Sequence, residues 1–252
     1  MRKPAVVFVF TLSFFLALST PAETSDTPQP TPAQAPAPGR DAPEWKPEGP
    51  TDNIPAPVIQ KVRDGVFQVG NVTVDKNQGY VMTTGEINMA EGLLEYLACG
   101  PMGKLHESAL KLDVQPFHLQ VALLLIGLEP GSKPLDFQGA PGVPEGDPVQ
   151  LWVSWTDGSG KRVEHRAEEL VFDEKQKKPM ALDHWIFTGS HVMDGRFMAQ
   201  VEQSIVATYH DPFAMFDHPL GTGMDDTVYF VNKAIVPPVG TPVTFIVKPV
   251  GK

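Results

Sequence analysis

In 252 residues the chain carries 30 acids against 20 lysines and arginines, a net charge of −10 at pH 7, and one cysteine, Cys99. An acidic surface repels phosphate backbones, and no Lys/Arg stripe with interleaved aromatics runs through the sequence, so nucleic acid is not an expected partner. A lone cysteine excludes an intramolecular disulfide, which leaves stability to a packed core.

The first 22 residues read as a secretory signal peptide. Arg2 and Lys3 make a short basic start, residues 5–18 are apolar apart from Thr11 and Ser13, and Thr20-Pro21-Ala22 supplies small residues ahead of Glu23. That apolar stretch is shorter than the roughly 20 residues a helix needs to cross a bilayer core. Cleavage is therefore expected, followed by export to the periplasm or the outside, with no membrane span in the mature chain. Loss of Arg2 and Lys3 takes the charge from −10 to −12. Residues 23–57 are dense in proline and offer almost nothing to bury, which predicts a disordered tether. Residues 58–252 remain as one domain, long enough for a sizeable core.

Within that domain the pattern is β-rich. Val66–Asp75 and Gly79–Met89 read as strand runs broken by a Lys76-Asn77-Gln78-Gly79 turn. Pro116–Leu128 is the exception, apolar nearly all round, with proline suited to a first helical turn and Glu129-Pro130-Gly131 to a stop. It predicts one buried helix near residues 116–128. Val149–Thr156 alternates apolar with polar residues, turns at Asp157–Gly160 and continues into a hairpin partner over Lys161–Val171. Further runs cover His184–Ser190, Arg196–Tyr209, Thr227–Asn232 and Pro242–Lys248. Short strands at this spacing predict a mainly β (α+β) fold, β-sandwich-like or built from strongly bent antiparallel sheets.

The densest polar group lies around Gly100-Pro101-Met102-Gly103. If Leu93–Cys99 and Lys104–Leu112 form a hairpin about that loop with Cys99 opposite Lys104, then Glu95, Cys99, Lys104, His106 and Ser108 share one face. Glu107 falls on the other face, and a one-residue slip dissolves the grouping. On such a face Lys104 would favour a Cys99 thiolate, with His106 as its base. Alternatively, Glu95 and His106 would contribute to a metal site with other imidazoles. The seven histidines form no HExxH or other tight ligand spacing. His118, in the first turn of the predicted helix, is disfavoured as a cation and so stays available as a ligand. His106 and His118 are the candidate ligands for a divalent metal. The blander reading makes Cys99 a buried inert thiol and the charged residues a solvated face. No Ser-elbow, P-loop or dinucleotide motif is present, and His210-Asp211 and Asp217-His218 read as loop residues.

Five stretches follow one another in a recognisable order: LEYLACGPMGKLHES, FHLQVALLLIGLEPG, WVSWTDGSGK, MALDHWIFTGS and IVPPVGTPVTFIVKP. Together they resemble the YdjY-domain family, closest to its exported, planctomycete-like bacterial members. The resemblance covers almost all of residues 58–250. Its recurring positions fall on Glu95, Cys99, Lys104, His106, Glu107, Ser108, His118, Gly127, Trp155, Trp185, Gly189 and Ser190. It implies a domain identity and export, and carries no reaction with it. Some relatives bear a ferredoxin-type label, but a four-iron cluster needs four thiolates and this chain has Cys99 alone.

The expected function is an exported module that binds a ligand, a metal or an envelope component. The alternatives are a metal-assisted hydrolase or thiol-dependent enzyme using the Cys99/His106/Glu107 region, and a structural envelope protein.

Overall fold

The computed structural model describes residues 57–251, so the signal segment and nearly all of the Pro-rich segment lie outside the described residues. Strands β1 (Ile59–Arg63), β2 (Val66–Val69) and β3 (Val72–Asp75) meander into β4 (Tyr80–Ile87). The run read as Val66–Asp75 is thus folded in half. Gly70, at φ +56°, starts a two-residue turn that sets Val69 opposite Val72.

β5 (Tyr96–Cys99) and β6 (Ser108–Leu112) follow, then helix α1 (Pro116–Leu125). β7 (Asp147–Thr156) and β8 (Arg162–Arg166) make the anticipated hairpin. The Asp157 carboxylate holds its turn by accepting from the N–H groups of Ser159 and Lys161. β9 (Val171–Asp173), β10 (Lys178–Pro179), β11 (Trp185–Phe187), β12 (Val192–Met193) and β13 (Arg196–Phe197) lead into the short helix α2 (Met198–Glu202). β14 (Ser204–Ala207), β15 (Phe216–Asp217), β16 (Tyr229–Val231) and β17 (Pro242–Pro249) complete the described chain. The run expected over Arg196–Tyr209 is therefore interrupted by helix, which ends where Gln203 turns to φ +58°.

Eight strands close into a barrel in the order β4, β17, β7, β11, β15, β14, β5, β6 and back to β4. The fold is mainly β, as expected, and its sheet bends until it closes rather than forming a sandwich; closure removes the edges an open sheet would leave unpaired. β4 allows it by dividing one edge between two partners. Its first residues pair with β3 and its last with β6, while β17 runs along the other edge. The core is a continuous apolar cluster that includes Ile87, Leu97, Leu110, Leu151, Phe187, Phe216 and Phe245. Burying each such side chain contributes about 1.5–3 kcal/mol. On β7, Val149, Leu151, Val153 and Trp155 are buried, while Trp152 faces out beneath the ammonium of Lys248.

α1 starts at Pro116 and stops before Gly127, which takes φ +79°. It lies on β2 and β3 and buries Leu119, Ala122 and Leu123, but leaves Leu124 half exposed, so its apolar surface is covered on one side only. Gln200 of α2 caps it, accepting from the Phe117 N–H at 3.1 Å and donating to Gln115 Oε1 at 2.6 Å.

Two neighbouring pairs in the barrel run parallel, β5 with β6 and β14 with β15. A parallel pair needs a connection that carries the chain back to the starting end, commonly about a dozen residues or more. Here residues 100–107 and 208–215 suffice, and both connections meet at Tyr96 of β5. The hairpin expected about Gly100–Gly103 is not formed.

Candidate functional site

The first connection shows why. The Gly100 N–H donates to Gln203 O at 2.8 Å, and the Gly103 N–H donates to Gly100 O at 3.1 Å. A Cβ on Gly103 would stand 2.9 Å from Cys99 Cβ and 3.1 Å from both Cβ and O of Gln203, so the turn presses flat against that residue. Leu105–Glu107 then forms a 3-10 turn, and Glu107 O accepts from the Glu95 N–H at 3.1 Å. Two reversals in one short segment set Ser108 beside Tyr96 and Lys111 beside Cys99, in parallel register.

That register scatters the polar face drawn from the sequence. Cys99 is fully buried in a small cluster with Tyr96, Ala207 and Ala214, and burial pushes its thiol up to about 12. Ser108 is buried too, its hydroxyl donating to Leu110 O at 2.9 Å. His106 points to solvent, 78% exposed, 3.6 Å from Glu107. His118 stands on α1 with its ring against Gly70 and lines a separate cavity of about 130 Å³ with Asn71, Pro101 and Asp113. Burial holds its imidazole below the ordinary range. His106 and His118 thus occupy different surroundings. Glu95 and Lys104 are the members of the group brought to a large cavity, Lys104 in its lining and Glu95 through Gln138.

This cavity measures about 720 Å³. Its floor is a hydrogen-bonded chain. The buried Tyr96 hydroxyl donates to Asp211 Oδ2 at 2.7 Å and accepts from Lys104 Nζ at 3.1 Å and Gln138 Nε2 at 3.3 Å. The Lys104 ammonium lies 5.1 Å from the Tyr96 ring centre, a cation–π placement. Asp211 Oδ1 accepts from the Phe213 N–H at 2.9 Å, and burial raises the Asp211 carboxyl above the usual range. Glu202 lines the wall, and its carboxylate makes no hydrogen bond or ion pair among the described residues. Burial raises its carboxyl as well, partly offset by the field of Lys104. Glu95 is raised by burial and by the neighbouring Glu107.

The roof comes from the segment between α1 and β7. Pro130 and Gly146 form a bridge at its base. At its far end Gln138 binds Glu95 and Tyr96, and the Gly139 N–H donates to His210 O at 2.7 Å. Gly139 sits at φ +74° with no room for a Cβ beside the Tyr209 hydroxyl. Lys133–Phe137 span the cavity between these anchors, and His191, Met193, Pro212 and Phe213 close the sides.

Next to the floor, His210, Asp217 and His218 are almost fully buried; His210 and His218 lie in loops, as read from the sequence, and Asp217 ends β15. His210 Nδ1 donates to Asp217 Oδ1 at 2.9 Å, and Asp217 also accepts from the N–H groups of His218 and Asp211. His218 Nε2 donates to Thr208 O at 2.8 Å, while Nδ1 accepts from the Leu220 N–H at 3.2 Å. Burial keeps this imidazole neutral, below its ordinary range. The ligand atoms of the three side chains lie within 4.8 Å of one another, spacing that suits a metal ion. Both nitrogens of His218 are already committed to the backbone, however. The group acts as a polar tie holding residues 208–215 in place, with His210 Nε2 left without a partner. Tyr96 does not stand out in the sequence, where Asp211 reads with His210 as a loop residue. A tyrosine one residue along from Glu95 and an aspartate in a Pro-flanked stretch carry no spacing signal.

Fold and site define a class: a closed β-barrel domain with a roofed cavity where two parallel crossovers meet. A family model described as the YdjY domain matches residues 72–248, and the chain belongs to the YdjY-domain family. No curated protein and no solved structure matches it. Among the described residues no helix is long and apolar enough to cross a membrane.

Proposed function

We propose that this domain is an exported binding module that takes a small ligand from the envelope or its surroundings into the cavity over Tyr96. The observation that carries the reading is the cavity itself, about 720 Å³ and within the 300–1,000 Å³ typical of small-molecule sites. Its polar floor is pre-ordered by the Lys104–Tyr96–Asp211 chain, so binding there costs little reorganisation. Export rests on the basic start, apolar centre and small-residue exit of residues 1–22. A thiol-dependent reaction gains no support from the geometry, because Cys99 is sealed from solvent and its thiol is held protonated.

Backbone amide shifts of the mature chain, titrated with a library of polar fragments, test the reading. Binders are expected to move resonances of Lys133–Gln138, His191 and Asp211–Phe213 together. If no fragment moves that set, or binders collect elsewhere, the cavity is not the binding site.

A further inference from the structure

We infer that the cavity over Tyr96 selects a small zwitterion with an apolar side chain, an α-amino acid or short peptide whose amine and carboxylate are both free. The inference rests on the binding reading above and names its ligand class. Opposite charges line this cavity, and Lys104 and Glu202 do not pair with each other. Lys104 spends one donor on the Tyr96 oxygen and makes a long ion pair with Glu107 at 3.9 Å, too far for a hydrogen bond. Its remaining N–H donors suit a carboxylate. Glu202 lines the same space, feels the field of Lys104, and forms no ion pair with it. A cation and an anion that line one cavity without pairing match a ligand carrying both charges. A purely anionic ligand would meet Glu202, and a purely cationic one would meet Lys104.

The apolar part has its own place. Phe137 and Met193, 61% and 44% exposed, flank the opening beside Leu135 and Phe213. Large apolar side chains left in water around a polar floor are what an entering apolar group would cover. His191 donates from Nδ1 to Pro212 O at 3.1 Å, which leaves its Nε2 as an acceptor on the cavity wall for a peptide or amine N–H.

Isothermal titration of the mature chain with L-phenylalanine, the dipeptide Ala-Phe, N-acetyl-L-phenylalanine and L-phenylalaninamide tests the inference. At least one of the two free zwitterions is expected to bind at least tenfold more tightly than either masked form. Glu202→Gln should erase the preference over the N-acetyl form, and Lys104→Met the preference over the amide. Equal binding of free and masked forms by the wild-type chain overturns the zwitterion inference, and that comparison needs no variant. If none of the four binds while other fragments move the Lys133–Gln138 resonances, the ligand class falls and the cavity reading stands. If neither probes nor fragments bind there, both fall.

Discussion

Lys104 reaches back across its own turn to Tyr96, its ammonium 3.1 Å from the phenol oxygen and 5.1 Å from the ring centre. Eight positions separate them in sequence, and the contact exists because the connection between β5 and β6 returns over β5. With Asp211 on its other side, the Tyr96 hydroxyl ties the two crossover connections together.

Replacing Tyr96 by Phe removes that tie while keeping the ring. The buried Asp211 carboxyl loses its side-chain donor, which costs about 1–3 kcal/mol. Urea denaturation of the variant should show an unfolding free energy lower by that amount, read as a lower midpoint with an unchanged slope. An unchanged midpoint would mean that the hydroxyl is not buried against Asp211.

Burial raises the carboxyls of Glu202 and Asp211, so above the ordinary pKa near 4 the folded state keeps protons that the unfolded chain has released. The resulting stabilisation is complete below that value and is lost as pH rises through the raised one. Glu202→Gln removes one such group. The variant should be more stable than wild type at pH 7 and show a flatter decline above about pH 4. Melting temperatures across that range decide it, and a less stable variant at pH 7 would show that Glu202 has a partner in solution.

His218 carries the opposite sign. Its folded pKa lies below the ordinary value near 6.5, so its contribution is complete above that value and is lost as pH falls through the lowered one. His218→Gln should lose about 2–4 kcal/mol at pH 7, since it disrupts buried hydrogen bonds and packing on Trp185 and Tyr229, and should lose less on acidification. Equal acid sensitivity in both proteins would place the acid-labile group elsewhere.

With its thiol at about 12, Cys99 should be roughly one part in ten thousand thiolate at pH 8 and screened from reagents. Iodoacetamide is expected to leave the native chain unmodified and to alkylate Cys99 fully in guanidinium. Rapid native labelling would contradict its burial.

The β-rich character, the β7–β8 hairpin and the helix opening at Pro116 were legible because each follows from residues within one turn or one strand of each other. Period-two alternation on Val149–Trp155, a proline at a helix start and a Gly-containing turn act locally. The candidate site was legible only in part. Glu95 and Lys104 were marked out by charge density; Lys104 lines the cavity, and Glu95 holds Gln138 of its lining. The face they were assigned to depended on a register that local pattern could not set.

By itself the sequence determined the acidic balance, the impossibility of a disulfide, the β-rich character and the motifs that mark the family, since these depend on composition and short-range order. Only the tertiary structure decided that the strands close into a barrel, that β5 and β6 run parallel, and that Tyr96, Lys104 and Asp211 share one floor. The Tyr96–Asp211 contact spans 115 positions and is made by burying partners from separate crossovers together. Such a contact is selected by packing the whole chain, and no local spacing encodes it.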